Sequence, residues 1–184
     1  MEGDFKIKIE NVVASTQIGE NIDLNRIARE IKDADYKPKQ FPGLVLRIKE
    51  PKAAALIFRS GKVVCTGSKS VEDARRAVKQ IVKIIGSLGI PVIEEPDVRV
   101  QNIVASADLG VDLNLNAIAV GLGLENIEYE PEQFPGLVYR LRDPRVVVLI
   151  FGSGKMVVTG GKNPEDAKKA VKKIAEELRT LGLM

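Results

Sequence analysis

The sequence of 184 residues contains no histidine and one cysteine, Cys65. Histidine is the commonest general base and a frequent ligand of transition metals, so its absence argues against triad catalysis and most such metal sites. A single cysteine supports neither a disulfide framework nor a cysteine-based zinc site. We therefore expect no enzyme activity, no catalytic residue, no metal and no cofactor.

Long hydrophobic runs are also missing. No stretch approaches the roughly 18 apolar residues that a membrane span needs, and residues 1–11 lack the apolar segment of a signal peptide. Hydrophobic residues make up 45% of the chain and charged residues 29%, which is ordinary for a globular protein. The sequence predicts a cytoplasmic protein without a targeting signal.

What the sequence does contain is an internal repeat. Residues 40–67 read QFPGLVLRIKEPKAAALIFRSGKVVCTG, and residues 133–160 read QFPGLVYRLRDPRVVVLIFGSGKMVVTG. Two copies are too few for a solenoid, so one pseudo-twofold body is the expected product. We assign the first repeat to residues 1–95 and the second to residues 96–184.

The residue pattern of each repeat predicts an α+β fold with the same order of elements. These are a strand, a short helix, an edge strand, a three-stranded antiparallel meander and a long helix. In the first repeat the predicted strands are 6–15, 36–38, 44–48, 53–58 and 62–66, and the predicted helices are 23–34 and 70–88. In the second repeat the opening and edge strands are 99–106 and 129–131, the meander lies in 133–160, and the helices are 114–124 and 163–181.

The meander is apolar on both faces, although two helices in a repeat can cover only one of them. Runs such as Ala53–Phe58 and Val146–Phe151 show no alternation with polar residues. The uncovered face needs a second copy, an apolar ligand or a nucleic acid. Its polar residues are amides and hydroxyls with Lys and Arg at the margins, which suits a nucleic-acid groove better than a lipid.

These motifs resemble a known family. Two copies of Q-F-P-G-L-V-x-R, E/D-P-K/R, L-I-F-x-S-G-K and V-x-T-G, each repeat opened by N-x-V-A-S, look like the conserved core of the TATA-box-binding protein family in its archaeal form. The resemblance covers about residues 5–182. It implies a pseudo-twofold saddle: a curved, ten-stranded antiparallel sheet with four helices on the convex face.

The resemblance also implies a function: a general transcription initiation factor that binds the minor groove of the TATA box and kinks the DNA. The implied partners are A·T-rich double-stranded DNA, transcription factor B and the RNA polymerase assembly, with a homodimer for the free protein. The implied location of the protein is the cytoplasm, in association with the nucleoid.

Site residues carry over from the family by motif. The DNA-intercalating residues are Phe41, Phe58, Phe134 and Phe151. The minor-groove residues are Asn11, Val13, Leu56, Val64, Thr66, Asn102, Val104, Leu149, Val157 and Thr159. The phosphate-contacting residues are Arg47, Ser60, Lys62, Arg140, Ser153 and Lys155.

One difference between the repeats concerns charge. Lys37 and Lys39 stand where the second repeat has Glu130 and Glu132. In the family the acidic loop meets transcription factor B, so the resemblance makes Glu130 and Glu132 the candidate contacts for that partner. We expect this reversal to give a nearly symmetric DNA binder a direction.

Two other readings of the sequence are a dimeric protein-interaction scaffold and an accessory nucleic-acid-binding domain of an enzyme. The second alternative lacks a catalytic motif in this sequence. Gly121-Leu122-Gly123 is only a fragment of a dinucleotide fingerprint and follows no strand. Ser153-Gly154-Lys155 lacks the upstream glycine of a phosphate-binding loop and precedes a strand.

Overall fold

The computed structural model describes residues 5–184, so the first four residues of the predicted first repeat lie outside the described part. The chain divides into two units. One is Asn11–Gln101, and the other joins the N-terminal stretch through Glu10 to Asn102–Met184. Each unit has a hydrophobic core of its own.

The elements repeat in order along the chain. The first seven are β1 (Lys8–Gln17), α1 (Leu24–Glu30), β2 (Ala34–Asp35), β3 (Leu44–Lys49), β4 (Lys52–Ile57), β5 (Lys62–Ser68) and α2 (Val71–Ser87). The next seven are β6 (Val98–Asp108), α3 (Leu115–Leu122), β7 (Ile127–Glu128), β8 (Leu137–Arg140), β9 (Val147–Ile150), β10 (Lys155–Gly161) and α4 (Pro164–Thr180). The strands are ordered β2-β3-β4-β5-β1-β6-β10-β9-β8-β7. The predicted ten-stranded antiparallel sheet with four helices is confirmed.

The long helices cover one face of the sheet in each unit. In α2 the predicted apolar stripe is buried, for example at Val78, Ile81 and Ile85. Its outward positions, among them Arg75 and Lys79, are exposed, as the amphipathic pattern requires. Across residues 5–184 no helix is long and apolar enough to cross a membrane.

Side-chain caps start the long helices where the sequence predicts. The Ser70 hydroxyl accepts a hydrogen bond from the Asp73 backbone N–H at 3.0 Å, and the Asn163 amide oxygen accepts one from Asp166 at 3.0 Å. Such a cap satisfies one of the backbone donors that the first turn leaves without a partner, which contributes about 1 kcal/mol.

Two groups of predicted boundaries are wrong. The helix predicted for 23–34 ends at Glu30, because Ile31 is extended and Ala34 pairs with Leu46 in the sheet. The edge strands are Ala34–Asp35 and Ile127–Glu128, not 36–38 and 129–131. The predicted positions form turns instead. The carbonyl oxygen of Lys37 accepts hydrogen bonds from the backbone N–H groups three and four residues later, and the carbonyl oxygen of Glu130 does the same.

The hairpin turns after β4 and β9 depend on glycine. Gly61 and Gly154 have φ of +95° and +90°. A Cβ at Gly154 would overlap the carbonyl oxygen of Val111, and a Cβ at Gly61 would overlap the carbonyl of Gly19. Both turns therefore need glycine, because it adopts the positive φ without strain and has no Cβ that would overlap the neighbouring carbonyl oxygen.

We predict that Gly154→Ala lowers the free energy of unfolding by more than about 2 kcal/mol, because a left-handed conformation alone costs an L-residue roughly 1–2 kcal/mol. Gly110→Ala is the matched control, since Gly110 also has a positive φ (+77°) but no atom within 4 Å of its added Cβ. Urea denaturation measures both variants. Equal losses would show that the clash with Val111 is unimportant.

Candidate nucleic-acid interface

An aliphatic floor lies on the uncovered sheet face of each unit. In the unit Asn11–Gln101, Leu56 is directly opposite Val45 on one side and Val64 on the other. Directly opposed residues in a sheet point to the same face. All three are half-buried, whereas the next residues along the strands, such as Ile57 and Val63, are buried under the helices. The face that the helices leave open is thus apolar.

The other unit repeats this row of side chains. Leu149 is opposite Val138 and Val157, and all three are half-buried. Val13 and Val104, predicted for the same floor, are also half-buried and alternate with buried neighbours. The structure therefore brings the predicted aliphatic residues of each repeat onto one face.

An amide and a hydroxyl form a polar cluster beside each floor. The Gly67 backbone N–H donates to Asn11 Oδ1 at 2.7 Å, and Asn11 Nδ2 donates to Thr66 Oγ1 at 3.0 Å. The glycine N–H fixes which end of the amide is oxygen, so the nitrogen must face the threonine. Within residues 5–184 the second Nδ2 hydrogen of Asn11 has no acceptor.

The same cluster occurs in the second repeat. Gly160 N–H donates to Asn102 Oδ1 at 2.6 Å, and Asn102 Nδ2 donates to Thr159 Oγ1 at 3.1 Å. Each repeat therefore presents one oriented amide donor and one hydroxyl on an otherwise apolar surface, held by the strand next to it. This arrangement can hydrogen-bond to an acceptor that lies against the floor.

Two phenylalanine pairs lie where the strands of each meander end. Phe41 and Phe58 have ring centroids 5.9 Å apart with an interplanar angle of 65°, and Phe134 and Phe151 have 5.9 Å and 66°. Phe41 and Phe134 are among the few large hydrophobic side chains that are exposed. Edge-to-face contact holds each pair together and leaves one ring open to a ligand.

The glycine of each Q-F-P-G motif makes room for these rings, which the sequence did not reveal. A Cβ at Gly43 would lie 2.7 Å from Phe41 Cε2 and 3.0 Å from Phe58 Cε1. At Gly136 the corresponding distances to Phe134 and Phe151 are 2.7 and 2.9 Å. Because real Cβ contacts are longer than this, a larger residue would displace the ring pair. The sequence shows only that this glycine recurs in both copies of the motif.

The predicted phosphate-contacting residues lie at exposed positions. Lys62 and Lys155 are exposed beside the hairpin glycines, and their backbone amides approach the hydroxyls of Ser60 and Ser153 at 3.4 Å. Arg47 is exposed on β3. Its counterpart Arg140 makes an exposed ion pair with Glu128 at 3.4 Å, a contact of little energetic weight.

Two serines on the same face were missed by the sequence reasoning. Ser15 is opposite Val64 and accepts from Gln101 Nε2 at 2.7 Å. Ser106 is opposite Val157 and donates to Glu10 Oε1 at 2.9 Å. Alternation along N-x-V-A-S placed both serines on the face of the asparagines, which was a usable signal.

The two groups with displaced pKa values lie away from this face. Burial raises the pKa of the Cys65 thiol to about 11, and Cys65 pairs with buried Ala14 and Ala55. Burial and the hydrogen bond to Glu177 raise the pKa of Tyr139 to about 12; its hydroxyl lies 2.9 Å from that carboxylate on α4. Both groups stay protonated at neutral pH and belong to the helix side.

Comparisons with known proteins agree with this geometry. The family model described as transcription factor TFIID, or TATA-binding protein, matches residues 6–88 and again residues 97–181. A TATA-box-binding protein of Archaeoglobus fulgidus is 87% identical over 181 residues, which covers 98% of this chain and 99% of the relative. One from Natronomonas pharaonis is 64% identical and covers 97% and 95%.

A solved structure shows the same fold. The structure of the Methanococcus jannaschii TBP superposes with a TM-score of 0.86 at 60% sequence identity, covering 95% of this chain and 98% of that one. The relatives are archaeal, and the family is one of transcription factors and not of enzymes. The chain therefore belongs to the TATA-binding protein family.

Proposed function

We propose that the chain is a general transcription initiation factor that binds A·T-rich promoter DNA in the minor groove. The observation that carries the proposal is the pair of uncovered aliphatic floors, each with its oriented asparagine and threonine. Repeats 1–95 and 96–184 would each read half of the element. The names of the archaeal relatives, TATA-box-binding proteins, support the assignment.

The chemistry of the floor favours A·T pairs. In the minor groove an A·T pair presents only acceptors, adenine N3 and thymine O2, whereas guanine adds an N2 amine. The Nδ2 donors of Asn11 and Asn102 suit those acceptors, and Thr66 and Thr159 flank them. An aliphatic floor of Leu56 and its equivalents would leave a guanine amine buried without a partner, which costs about 1–3 kcal/mol.

The phenylalanine pairs supply the kink. Minor-groove proteins wedge apolar side chains between base steps, and unstacking a step costs on the order of a few kcal/mol. The rings of Phe41 and Phe58 in one repeat, and of Phe134 and Phe151 in the other, would provide flat apolar surfaces that replace part of the lost stacking. Within each pair the two rings support each other through their edge-to-face contact.

Cationic and hydroxyl groups then hold the backbone. Arg47, Lys62 and Ser60 in the first repeat, and their equivalents Arg140, Lys155 and Ser153, are exposed groups suited to phosphate oxygens. Such contacts fix register without reading sequence. Binding that releases counterions in this way weakens as salt rises.

Assembly with transcription factor B and RNA polymerase completes the proposed role, in the cytoplasm at the nucleoid. The acidic turn of Glu130 and Glu132 is exposed, as is the basic turn of Lys37 and Lys39. The two turns share the same backbone hydrogen bonds, so they differ chiefly in charge. This difference would recruit factor B to one end of the DNA complex. Without DNA, the aliphatic floor is the surface that a second copy would cover.

We predict that Phe58→Ala combined with Phe151→Ala abolishes DNA bending while part of the binding survives, because the floor and the phosphate contacts remain. Fluorescence energy transfer between the ends of an A·T-rich duplex measures the bend, and anisotropy measures affinity. Phe5→Ala is the control, since Phe5, the remaining phenylalanine, stacks instead under Arg179 at 5.6 Å. Normal bending by the double variant would contradict the wedge role.

We further predict that Glu130→Lys with Glu132→Lys weakens recruitment of factor B at least about tenfold and leaves binary DNA binding largely intact, because the acids lie in a turn outside the floor. A ternary band-shift assay measures this. The reciprocal variant, Lys37→Glu with Lys39→Glu, is the matched control for charge change. Unchanged ternary complex formation by the first variant would refute the role of the acids.

A further inference from the structure

The residue before the asparagine of each N-x-V-A-S motif differs between the repeats. It is Glu10 in the first copy and Gln101 in the second, at the same spacing of 91 that relates Ser15 to Ser106. Gln101 contacts Ser15 within the unit Asn11–Gln101, and Glu10 contacts Ser106 within the other unit. The two contacts therefore join equivalent positions, with an amide in one and a carboxylate in the other.

Both serines lie on the sheet face that the helices leave open. Ser15 is opposite Val64 and Ser106 is opposite Val157, and each of these valines belongs to the aliphatic floor of its unit. Directly opposed residues in a sheet point to the same face. The serines are half-buried, so a ligand that covers the floor reaches both hydroxyls. The carboxylate of Glu10, 2.9 Å from the Ser106 hydroxyl, lies against the same surface.

The exchange of amide for carboxylate reverses the direction of the serine hydrogen bond. Gln101 Nε2 donates to the Ser15 hydroxyl oxygen at 2.7 Å, and within residues 5–184 the hydrogen of that hydroxyl has no acceptor. An ionised carboxylate only accepts hydrogen bonds, so Ser106 has to donate its hydrogen to Glu10 Oε1. Ser15 thus offers a donor to a ligand, whereas Ser106 offers only lone pairs.

We propose that Ser15 hydrogen-bonds to the bases in the minor groove and that Glu10 prevents Ser106 from doing so, which makes the two half-sites unequal. This inference rests on the minor-groove function proposed above. An A·T pair presents only acceptors in the minor groove, so Ser15 can donate to adenine N3 or thymine O2. In the other unit, Ser106 and Glu10 would place acceptors against those acceptors, and the carboxylate would also repel the phosphates.

The test measures the affinity of the full chain for an A·T-rich duplex by fluorescence anisotropy. We expect Ser15→Ala to weaken binding about fivefold more than Ser106→Ala does, which is the effect of one net hydrogen bond. Glu10→Gln copies Gln101 and should strengthen binding, because it frees the Ser106 hydrogen and removes a negative charge. Urea denaturation at an unchanged midpoint shows that each variant keeps the fold.

A double-mutant cycle separates the direction of the hydrogen bond from the effect of charge. In the Glu10→Gln background, Ser106→Ala should weaken binding about fivefold relative to Glu10→Gln alone, because the serine there donates to the DNA. A carboxylate that acted through its charge alone would leave the cost of Ser106→Ala the same in both backgrounds. Gln101→Glu is the reciprocal variant, and in its background Ser15→Ala should lose its additional cost.

Two outcomes would overturn this inference alone, while the preference for A·T pairs remains. One is an equal loss of affinity for Ser15→Ala and Ser106→Ala. The other is a cost of Ser106→Ala that Glu10→Gln does not alter. A chain that binds the A·T duplex no better than a G·C duplex would instead refute the minor-groove function, and the inference with it.

Discussion

An antiparallel sheet with apolar residues on both faces and helices on only one of them is the constraint on which the rest depends. The helices bury Ile57, Val63 and their neighbours, but the intervening Leu56 and Val64 stay half-exposed. Exposed aliphatic area of this kind is unfavourable in water, at roughly 25 cal/mol per Å². A ligand that covers the face removes this cost, so the hydrophobic effect that folds the helix side also drives binding on the other.

Polar groups give that apolar face its selectivity. Asn11 and Asn102 are held by glycine amides at 2.7 and 2.6 Å, so their orientation is set before a ligand arrives. A preorganised donor loses little freedom on binding. The two repeats share this core chemistry and differ at their margins, at the turns of Lys37 and Glu130. The positions that the repeats share suit DNA, which both repeats would contact. The turn positions at which they differ suit a partner protein that binds only one repeat.

Much of this could be predicted from the sequence, because duplication and alternation are local signals. Caps such as Ser70, the meander strands and the face shared by Leu56 and Val64 follow from spacing alone. The edge strands could not be placed, since two-residue pairings such as Ala34 with Leu46 are decided by tertiary contact and not by propensity. The role of Gly43 was also hidden, because its neighbours Phe41 and Phe58 approach it only in the folded chain.

The measurement that bears most directly on the minor-groove assignment compares three duplexes: A·T-rich, G·C-rich, and one in which inosine·cytosine pairs replace the A·T pairs. An inosine·cytosine pair lacks the N2 amine and so resembles A·T in the minor groove, while its major groove resembles G·C. We predict that the chain binds the A·T and inosine duplexes with similar affinity and the G·C duplex at least about tenfold more weakly. Binding of the inosine duplex as weak as that of the G·C duplex would contradict recognition through the aliphatic floor.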